Sequence, residues 1–306
     1  MNRARADALL LLVAFLWGTT FVAQKEANEY IGPILFVGVR FAAAALFLLP
    51  LALWESQRKA KIPLRRSDWI GGFCIGVCLC AGCWSQQVGL MTTTATNAGF
   101  LTAVYMVVVP FVAWIFSRRP PRALVLLAGA VALYGAWLLG SDGSGGVALS
   151  RGDLIILGGD LIWAVHITLV GHCTGMAARP ILLSCLQCAV TGLVSLPIAL
   201  VWQPASLAAL SGAVPAIAYA GIVSSGFAFT LQVIAQRHTP AAEAALIMSL
   251  ESVFAAIAGA ILLGEMLTVR ASIGAALILL GVVLVEVGPA LLLSVYARLR
   301  PGALRE

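Results

Sequence analysis

Ten long apolar stretches alternate with short polar connections along the chain. They run near 8–27, 33–54, 68–90, 96–116, 122–140, 153–172, 180–202, 212–236, 241–263 and 270–293. Most of them reach the length of about 20 residues that a helix needs to cross a bilayer. None alternates apolar and polar residues with a period of two, so helices are favoured over barrel strands. The pattern predicts an all-α integral membrane protein with ten transmembrane helices.

One of these segments occurs twice. Residues 33–53 read PILFVGVRFAAAALFLLPLAL, and residues 180–200 read PILLSCLQCAVTGLVSLPIAL. Nine of the 21 positions are identical without a gap, at a spacing of 147 residues. A duplicated membrane segment is typical of transporters that are built from two structural repeats.

Other positions recur at nearly the same spacing, so the duplication extends beyond this segment. The matching pairs are Trp17 with Trp163, Gln87 with Gln232, and Gly129 with Gly274. We therefore predict a first repeat over 1–140, a periplasmic linker over 141–152, a second repeat over 153–293 and a cytoplasmic tail over 294–306. Five helices in each repeat place the two copies in opposite orientations across the membrane, which makes them inverted-topology repeats.

Basic residues are concentrated in alternate connections, which agrees with the inversion. The connection 55–67 carries five basic residues, whereas its counterpart 203–211 carries none. Because cytoplasmic loops are enriched in lysine and arginine, we expect both termini in the cytoplasm. The first apolar run is longer than the core of a typical signal peptide and lacks a clear small-residue cleavage site, so it is predicted to be a retained helix.

The composition limits the classes of partner. Hydrophobic residues make up 61% of the 306 residues and charged residues only 10%, so most of the surface must face lipid. The net charge of +6 is explained by the loop asymmetry, and we expect a lipid bilayer and no nucleic acid as partner. Seven cysteines lack metal-ligand spacing and are interpreted as packing residues. We expect neither a metal nor a cofactor.

Several motifs resemble a known family. Residues 16–22 (LWGTTFV) followed by Lys25, the pair Arg40-Phe41, and the segments 239–265 and 274–281 resemble the EamA-type transporters of the drug/metabolite transporter superfamily. The resemblance spans essentially the whole chain. It implies transport of small organic solutes across a bacterial inner membrane by a multi-pass protein. The branch that it resembles most contains exporters of amino acids.

This chain departs from the family pattern at two places, and a proline separately predicts a helix kink. The family often has Leu-Glu-Pro in its ninth helix, but this chain has Leu250-Glu251-Ser252, so a break is less expected there. Pro110 lies in the middle of the fourth helix and predicts a kink, because proline removes one backbone hydrogen bond. Gly264-Glu265 follows the ninth helix as in the family, whereas the first half has Ser117-Arg118 at that place.

Polar and aromatic side chains within the spans are the candidates for substrate binding, because their burial in lipid is costly. The candidates are Trp17, Thr20, Gln24, Gln86, Gln87, Asn97, Tyr105, Trp163, His166 and Gln232. The two tryptophans are expected to pack on an apolar or aromatic side chain of a substrate. Asn97 and Tyr105 are expected to share one helix face. Each polar group could instead hydrogen-bond between helices.

Charged residues within the spans form a second class of candidate. Arg40 and Glu251 are candidates for a coupling or a structural charge, and the repeat partner of Arg40 is the neutral Gln187. Asp160, Glu243 and Glu286 are further acidic groups in apolar sequence that could carry a proton.

The sequence therefore predicts an alternating-access exporter of small neutral or zwitterionic metabolites, with apolar or aromatic amino acids favoured as the substrate. Transport of phosphorylated metabolites or nucleotide sugars is an alternative, although few basic residues in the spans could clamp a phosphate. An integral-membrane enzyme is an alternative of another class, but the chain has no recognisable catalytic constellation and is predicted not to be an enzyme. The oligomeric state stays open, and a monomer is compatible with the sequence.

Overall fold

The computed structural model describes residues 1–140, 150–176, 178–266 and 268–299, and the part of the chain that it describes contains helices and no strands. The helices are α1 (Arg3–Ala27), α2 (Pro33–Arg58), α3 (Arg66–Gly89), α4 (Ala95–Thr102), α5 (Tyr105–Ser117), α6 (Ala123–Gly140), α7 (Arg151–Met176), α8 (Pro180–Trp202), α9 (Leu207–Ala218), a π-helical segment (Tyr219–Ala228), α10 (Phe229–Ala235), α11 (Ala241–Met248), α12 (Glu251–Leu262) and α13 (Val269–Leu299). Residues 141–149 of the predicted linker, residues 300–306 of the predicted tail, and the side chain of Glu286 lie outside the described part.

Eight helical segments of the described residues are long and apolar enough to cross a membrane. They are Arg3–Ala27, Pro33–Arg58, Arg66–Gly89, Ala95–Ser117, Arg151–Cys173, Pro180–Trp202, Leu207–Ala235 and Ala241–Leu262. Two shorter apolar helices are described over Ala123–Leu139 and Val269–Val285. The structure is therefore that of an all-helical integral membrane protein.

The duplicated segments form α2 and α8, which pack against each other in opposite directions. Each begins with a proline at its first turn, where the missing N–H costs no helical hydrogen bond. Glu55 at the end of α2 accepts hydrogen bonds from two backbone N–H groups at the start of α8. Gln203 after α8 does the same for the start of α2. Each copy thus satisfies the unpaired donors at the N-terminus of the other.

The two halves interlock through corresponding pairs of helices. α1 packs against the π-helical segment, α10, α11 and α12, and α7 packs against α3, α4 and α5. α6 packs along α13, where Gly135 and Gly274 bring the two backbones together. Most of these contacts join the first half of the chain to the second, so the centre of the molecule lies between the halves.

Two helices are interrupted at corresponding places, 146 residues apart. The first break lies at 103–104, between α4 and α5, and the second at 249–250, between α11 and α12. At both breaks the backbone bonds shift to the tighter i→i−3 pattern, as in Met106 N to Ala103 O and Ser252 N to Ser249 O. These breaks position the first residues of α5 and α12 at the centre of the molecule.

The breaks bear on two sequence-based predictions: the kink at Pro110 stays a prediction, whereas the ninth span is interrupted where the sequence makes a break less expected. α5 continues through Pro110 from Tyr105 to Ser117, so the interruption of this span lies several residues before the proline. The ninth span is interrupted although Ser252 replaces the proline of the family motif. The hydroxyls of Ser249 and Ser252 donate to the carbonyls of Leu246 and Ser249, and such bonds compete with regular helical pairing.

Candidate substrate cavity

A small cavity lies between the two halves at the level of the helix breaks. Eight of the predicted site residues line it: Trp17, Thr20, Gln24, Arg40, Gln86, Tyr105, Trp163 and Glu251. Five further residues complete the lining: Phe21, Thr102, Ile167, Ser224 and Phe229. The cavity volume is about 30 Å³, which is room for about two water molecules. The site is therefore contracted in this conformation.

Phe229 occupies the space between the two predicted tryptophans. Its ring centroid lies 4.7 Å from that of Trp17 and 6.4 Å from that of Trp163, and the Trp163 ring is nearly parallel to it. His166 meets Phe229 edge-on at 5.9 Å. The indole N–H of Trp17 donates to the carbonyl of Ser224 at 3.3 Å. The tryptophans thus form an aromatic group with a side chain of the protein itself.

Sequence reasoning missed Phe229, although the repeat contains a signal for it. The spacing that relates Gln87 to Gln232 relates Trp84 to Phe229, so an aromatic residue stands at both positions. Trp84 is not among the residues that line the cavity. Its indole N–H donates to the hydroxyl of Ser195 at 2.8 Å.

Arg40 is the cation that lines the cavity, and it is held by packing. Its guanidinium lies over the rings of Phe41 at 4.9 Å and Phe36 at 5.4 Å, and it donates to the sulfur of Cys83 at 3.4 Å. Among the described residues no carboxylate is within ion-pair distance of it. Its repeat partner Gln187 is fully buried and bonds to the imidazole of His166 at 3.0 Å.

Glu251 also lines the cavity, at the first turn of α12. Its position depends on Gly18 of α1, since a Cβ atom there would lie 2.6 Å from the carbonyl oxygen of Glu251. The side chain is only 3% exposed, and Tyr105 lies next to it at the first turn of α5. The cavity therefore places one unpaired cation and one buried carboxyl around an aromatic group.

Neutral polar groups of the lining are partly occupied by bonds within the protein. The hydroxyl of Thr20 donates to the carbonyl of Leu16, and the amide of Gln86 donates to the hydroxyl of Thr102 at 3.2 Å. The side-chain oxygen of Gln24 is buried and has no donor among the described residues. Gln24 therefore has free hydrogen-bonding capacity, as does the indole N–H of Trp163.

Four predicted residues lie outside the lining. Gln87 donates to the carbonyl of Gln24 and to Asn28, so it joins α3 to α1. His166 contacts the aromatic group and bonds to Gln187. Gln232 is fully buried, and its amide has no partner among the described residues. Asn97 lies near the start of α4, and the break at 103–104 separates it from Tyr105, so the two do not lie on one continuous helix face.

The end of the molecule at which α1 ends and α4 begins, which we call the Lys25 face, is closed by polar contacts. Lys25 donates to the carbonyls of Leu90 at 3.0 Å and Thr93 at 2.7 Å. Asn97 donates to the carboxylate of Asp153 at 2.9 Å. Glu265 accepts from the backbone N–H groups of Ala95 and Thr96 and from the hydroxyl of Thr96. The contacts of Asn97 and Glu265 join the two halves, whereas those of Lys25 lie within the first half.

The opposite end, where α1 begins and α5 ends, is called the Arg3 face and contains a wide vestibule. Its volume is about 400 Å³, and it lies among α5, α7 and α11. Glu243 at its rim forms ion pairs with Arg3 and, at 3.5 Å, with Arg122. Asp7 accepts from the hydroxyl of Thr239 at 2.7 Å. The Arg3 face therefore contains an open space that residues of both halves line.

Comparison with known proteins identifies the family to which this arrangement belongs. The model of the EamA-like transporter family matches the chain twice, over residues 4–141 and 150–287. The chain belongs to the EamA-like transporter family. It is a membrane transporter of the drug/metabolite transporter superfamily.

Relatives of this transporter agree with the assignment. It is 32% identical over 94% of its length to an uncharacterized transporter from Archaeoglobus fulgidus, of which 87% is covered. It is 26% identical over 92% of its length to the uncharacterized transporter YwfM from Bacillus subtilis, of which 93% is covered. A crystal structure with 16% sequence identity superposes with a TM-score of 0.77 and covers 94% of this chain and 97% of the other, which shows the common fold.

Proposed function

We propose that this transporter exports small zwitterionic metabolites, most directly amino acids with apolar or aromatic side chains, across a bacterial inner membrane. The observation that carries the proposal is that Arg40 and Glu251 line one cavity that is also lined by Trp17, Trp163 and Phe229. A guanidinium suits the carboxylate of an amino acid, and a carboxylate suits its ammonium group. The aromatic rings suit an apolar or aromatic side chain.

The proposed topology is ten membrane spans in two inverted five-helix repeats, with both termini in the cytoplasm. The antiparallel packing of α2 and α8, which carry the duplicated sequence, supports the inversion. The charge difference between the connections 55–67 and 203–211 supports a cytoplasmic Arg3 face. In this orientation the vestibule faces the cytoplasm and the bonded Lys25 face is directed outward.

Inverted repeats of this kind support alternating access. The two halves can exchange conformations, and the exchange opens the central cavity to one side of the membrane or to the other. To release a substrate outward, the bonds of Asn97 with Asp153 and of Glu265 with the start of α4 have to open. Growth of the cavity from about 30 Å³ also requires Phe229 to move away from one of the tryptophans.

Phosphorylated substrates fit this cavity less well. Phosphate sites commonly use several Arg or Lys side chains, and Arg40 is the basic residue in the described lining. Lys25 is bonded to two backbone carbonyls at the Lys25 face. A single basic side chain in the lining suits a carboxylate better than a phosphate ester.

Counterflow in proteoliposomes tests the proposal. Vesicles loaded with one unlabelled amino acid are tested for accumulation of the same labelled amino acid, over a panel of apolar, aromatic, acidic and basic amino acids. We expect accumulation with the apolar and aromatic members and no competition by sugar phosphates. Absence of counterflow for every amino acid would refute the substrate class, and competition by sugar phosphates would favour the alternative.

A further inference from the structure

The vestibule on the Arg3 face has room for a small organic molecule, which the central cavity lacks in this conformation. The volume of the vestibule is about 400 Å³, whereas that of the cavity is about 30 Å³. Sites for small ligands commonly measure roughly 300–1,000 Å³. A substrate that arrives from the Arg3 face therefore meets the vestibule first and reaches the central cavity only after a conformational change.

Two buried polar groups that line the vestibule have no hydrogen-bond partner. Thr168 on α7 and Gln236 at the end of α10 are each 4% exposed. The hydroxyl of Thr168 and the side-chain oxygen of Gln236 are unpartnered among the described residues. Buried polar groups are nearly always bonded, so two such oxygens beside an open space indicate that a ligand or water supplies the missing donors.

The side-chain amide of Gln236 is held in place by α7. Its Nε2 donates to the carbonyl of Ile167 at 3.0 Å. It also lies against Gly171, one turn further along the helix, where a Cβ atom would be 3.6 Å from Nε2. Ile167 lines the central cavity, whereas Thr168 and Gly171 line the vestibule. One turn of α7 therefore separates the two spaces.

Arginines outnumber carboxylates in the described lining of the vestibule. Arg119 and Arg122 line it from the connection between α5 and α6, and both are exposed. Glu243 is the acidic residue of this lining, and it already pairs with Arg3 and, at 3.5 Å, with Arg122. Arg119 forms no ion pair among the described residues. The vestibule therefore offers an uncompensated guanidinium to an anionic group.

Aromatic side chains form another part of the wall. Trp114 and Phe116 of α5 line the vestibule, and the ring of Phe116 lies 6.4 Å from that of His172 on α7. The vestibule thus contains the same three kinds of group as the central cavity, which are a guanidinium, oxygen atoms without donors and aromatic rings.

We propose that the vestibule is a second substrate site, at which a zwitterionic amino acid binds before it enters the central cavity. This inference rests on the function proposed above. The guanidinium of Arg119 holds the carboxylate of the substrate, and the oxygens of Thr168 and Gln236 accept from its ammonium group. The side chain of the substrate packs on Trp114 and Phe116. An entrance filled only by water would have the same volume, but binding would depend neither on Arg119 nor on Thr168.

Equilibrium binding of labelled L-phenylalanine to the full-length protein in lipid nanodiscs tests this site. Arg40→Gln removes the proposed carboxylate partner in the central cavity, so the binding that remains reports on the vestibule. We expect Arg40→Gln to retain binding, and Arg119→Gln in the same background to weaken it about tenfold, because a charge-assisted hydrogen bond is lost. Arg66→Gln in that background is the matched control, since it removes an exposed arginine at the start of α3 that does not line the vestibule.

Thr168→Val tests the ammonium partner with little change in the size of the side chain. In the Arg40→Gln background it should weaken binding of L-phenylalanine about three- to tenfold, because one hydrogen bond is lost. Two analogues separate the roles. Phenethylamine, which lacks the carboxylate, should not respond to Arg119→Gln, and 3-phenylpropionate, which lacks the ammonium group, should not respond to Thr168→Val.

The outcomes distinguish this site from the proposed function. Wild-type binding that Arg40→Gln abolishes would overturn the vestibule site and leave the proposed function standing. Remaining binding that neither Arg119→Gln nor Thr168→Val changes would also overturn the vestibule site. Absence of binding to the wild type would refute the proposed substrate class, and the vestibule site with it.

Discussion

Tyr105 and Glu251 stand 146 residues apart in the chain, yet they lie side by side in the central cavity. Each is the first residue of a helix that follows a break, α5 in one case and α12 in the other. The same backbone geometry in the two halves therefore brings a phenol and a carboxyl to one place. The halves share a framework at this point but present different chemistry.

Replacement of Arg40 by Gln is expected to weaken transport of L-phenylalanine by about tenfold or more, because a charge-assisted hydrogen bond to the substrate carboxylate is lost. The Michaelis constant for counterflow in proteoliposomes measures the effect. Phenethylamine, which lacks the carboxylate, serves as the matched substrate. Its transport should respond much less to Arg40→Gln, and an equal loss for both compounds would contradict the role of Arg40.

Trp17→Ala should lower transport about three- to tenfold, which corresponds to the loss of an aromatic pair. The substitution removes the ring that packs on Phe229 at 4.7 Å and the indole bond to Ser224. The same substitution at Trp202, which is 75% exposed at the end of α8, is the control and should leave transport unchanged. Equal rates for Trp17→Ala and the wild type would remove this tryptophan from the site.

Much of the framework is predictable from sequence because hydrophobic length and repetition determine it. The duplicated segments become α2 and α8, and Trp17 and Trp163 both reach the cavity. The breaks at 103–104 and 249–250 are harder to predict, since neither contains a proline and serine bonding at 249–252 leaves only a weak sequence signal. The place of Phe229 depends on how α10 packs against α1 and α7.

Gly135→Ala should destabilise the contact between α6 and α13. A Cβ atom at this position would lie 2.6 Å from the carbonyl oxygen of Gly274, so the helices have to separate. Overpacking of this kind costs about 1–3 kcal/mol. Thermal unfolding in detergent should show a midpoint several degrees lower than that of the wild type.

Gly129→Ala is the control for this prediction because it lies on the same helix. A Cβ atom at Gly129 meets no other atom within 4 Å, and alanine favours a helix by about 1 kcal/mol over glycine. Its midpoint should equal or exceed that of the wild type. Equal destabilisation by the two substitutions would contradict the close contact of α6 with α13.

Glu265→Ala should expose the beginning of α4. The backbone N–H groups of Ala95 and Thr96 lie in the first turn, where a helix offers no carbonyl partner, and they donate to Glu265. Their hydrogen exchange, followed by mass spectrometry, should become faster in Glu265→Ala and stay unchanged in Glu29→Ala, which alters an exposed carboxyl of the same face. Unchanged exchange in Glu265→Ala would show that this carboxylate does not close the Lys25 face.

The structure of a complex with L-phenylalanine tests the central claim most directly. Determined by cryo-electron microscopy in nanodiscs, it should show the ligand between the halves, with its carboxylate at Arg40, its ammonium group at Glu251 and its ring among Trp17, Trp163 and Phe229. A ligand bound only elsewhere, or a cavity that remains closed at saturating concentration, would contradict the account.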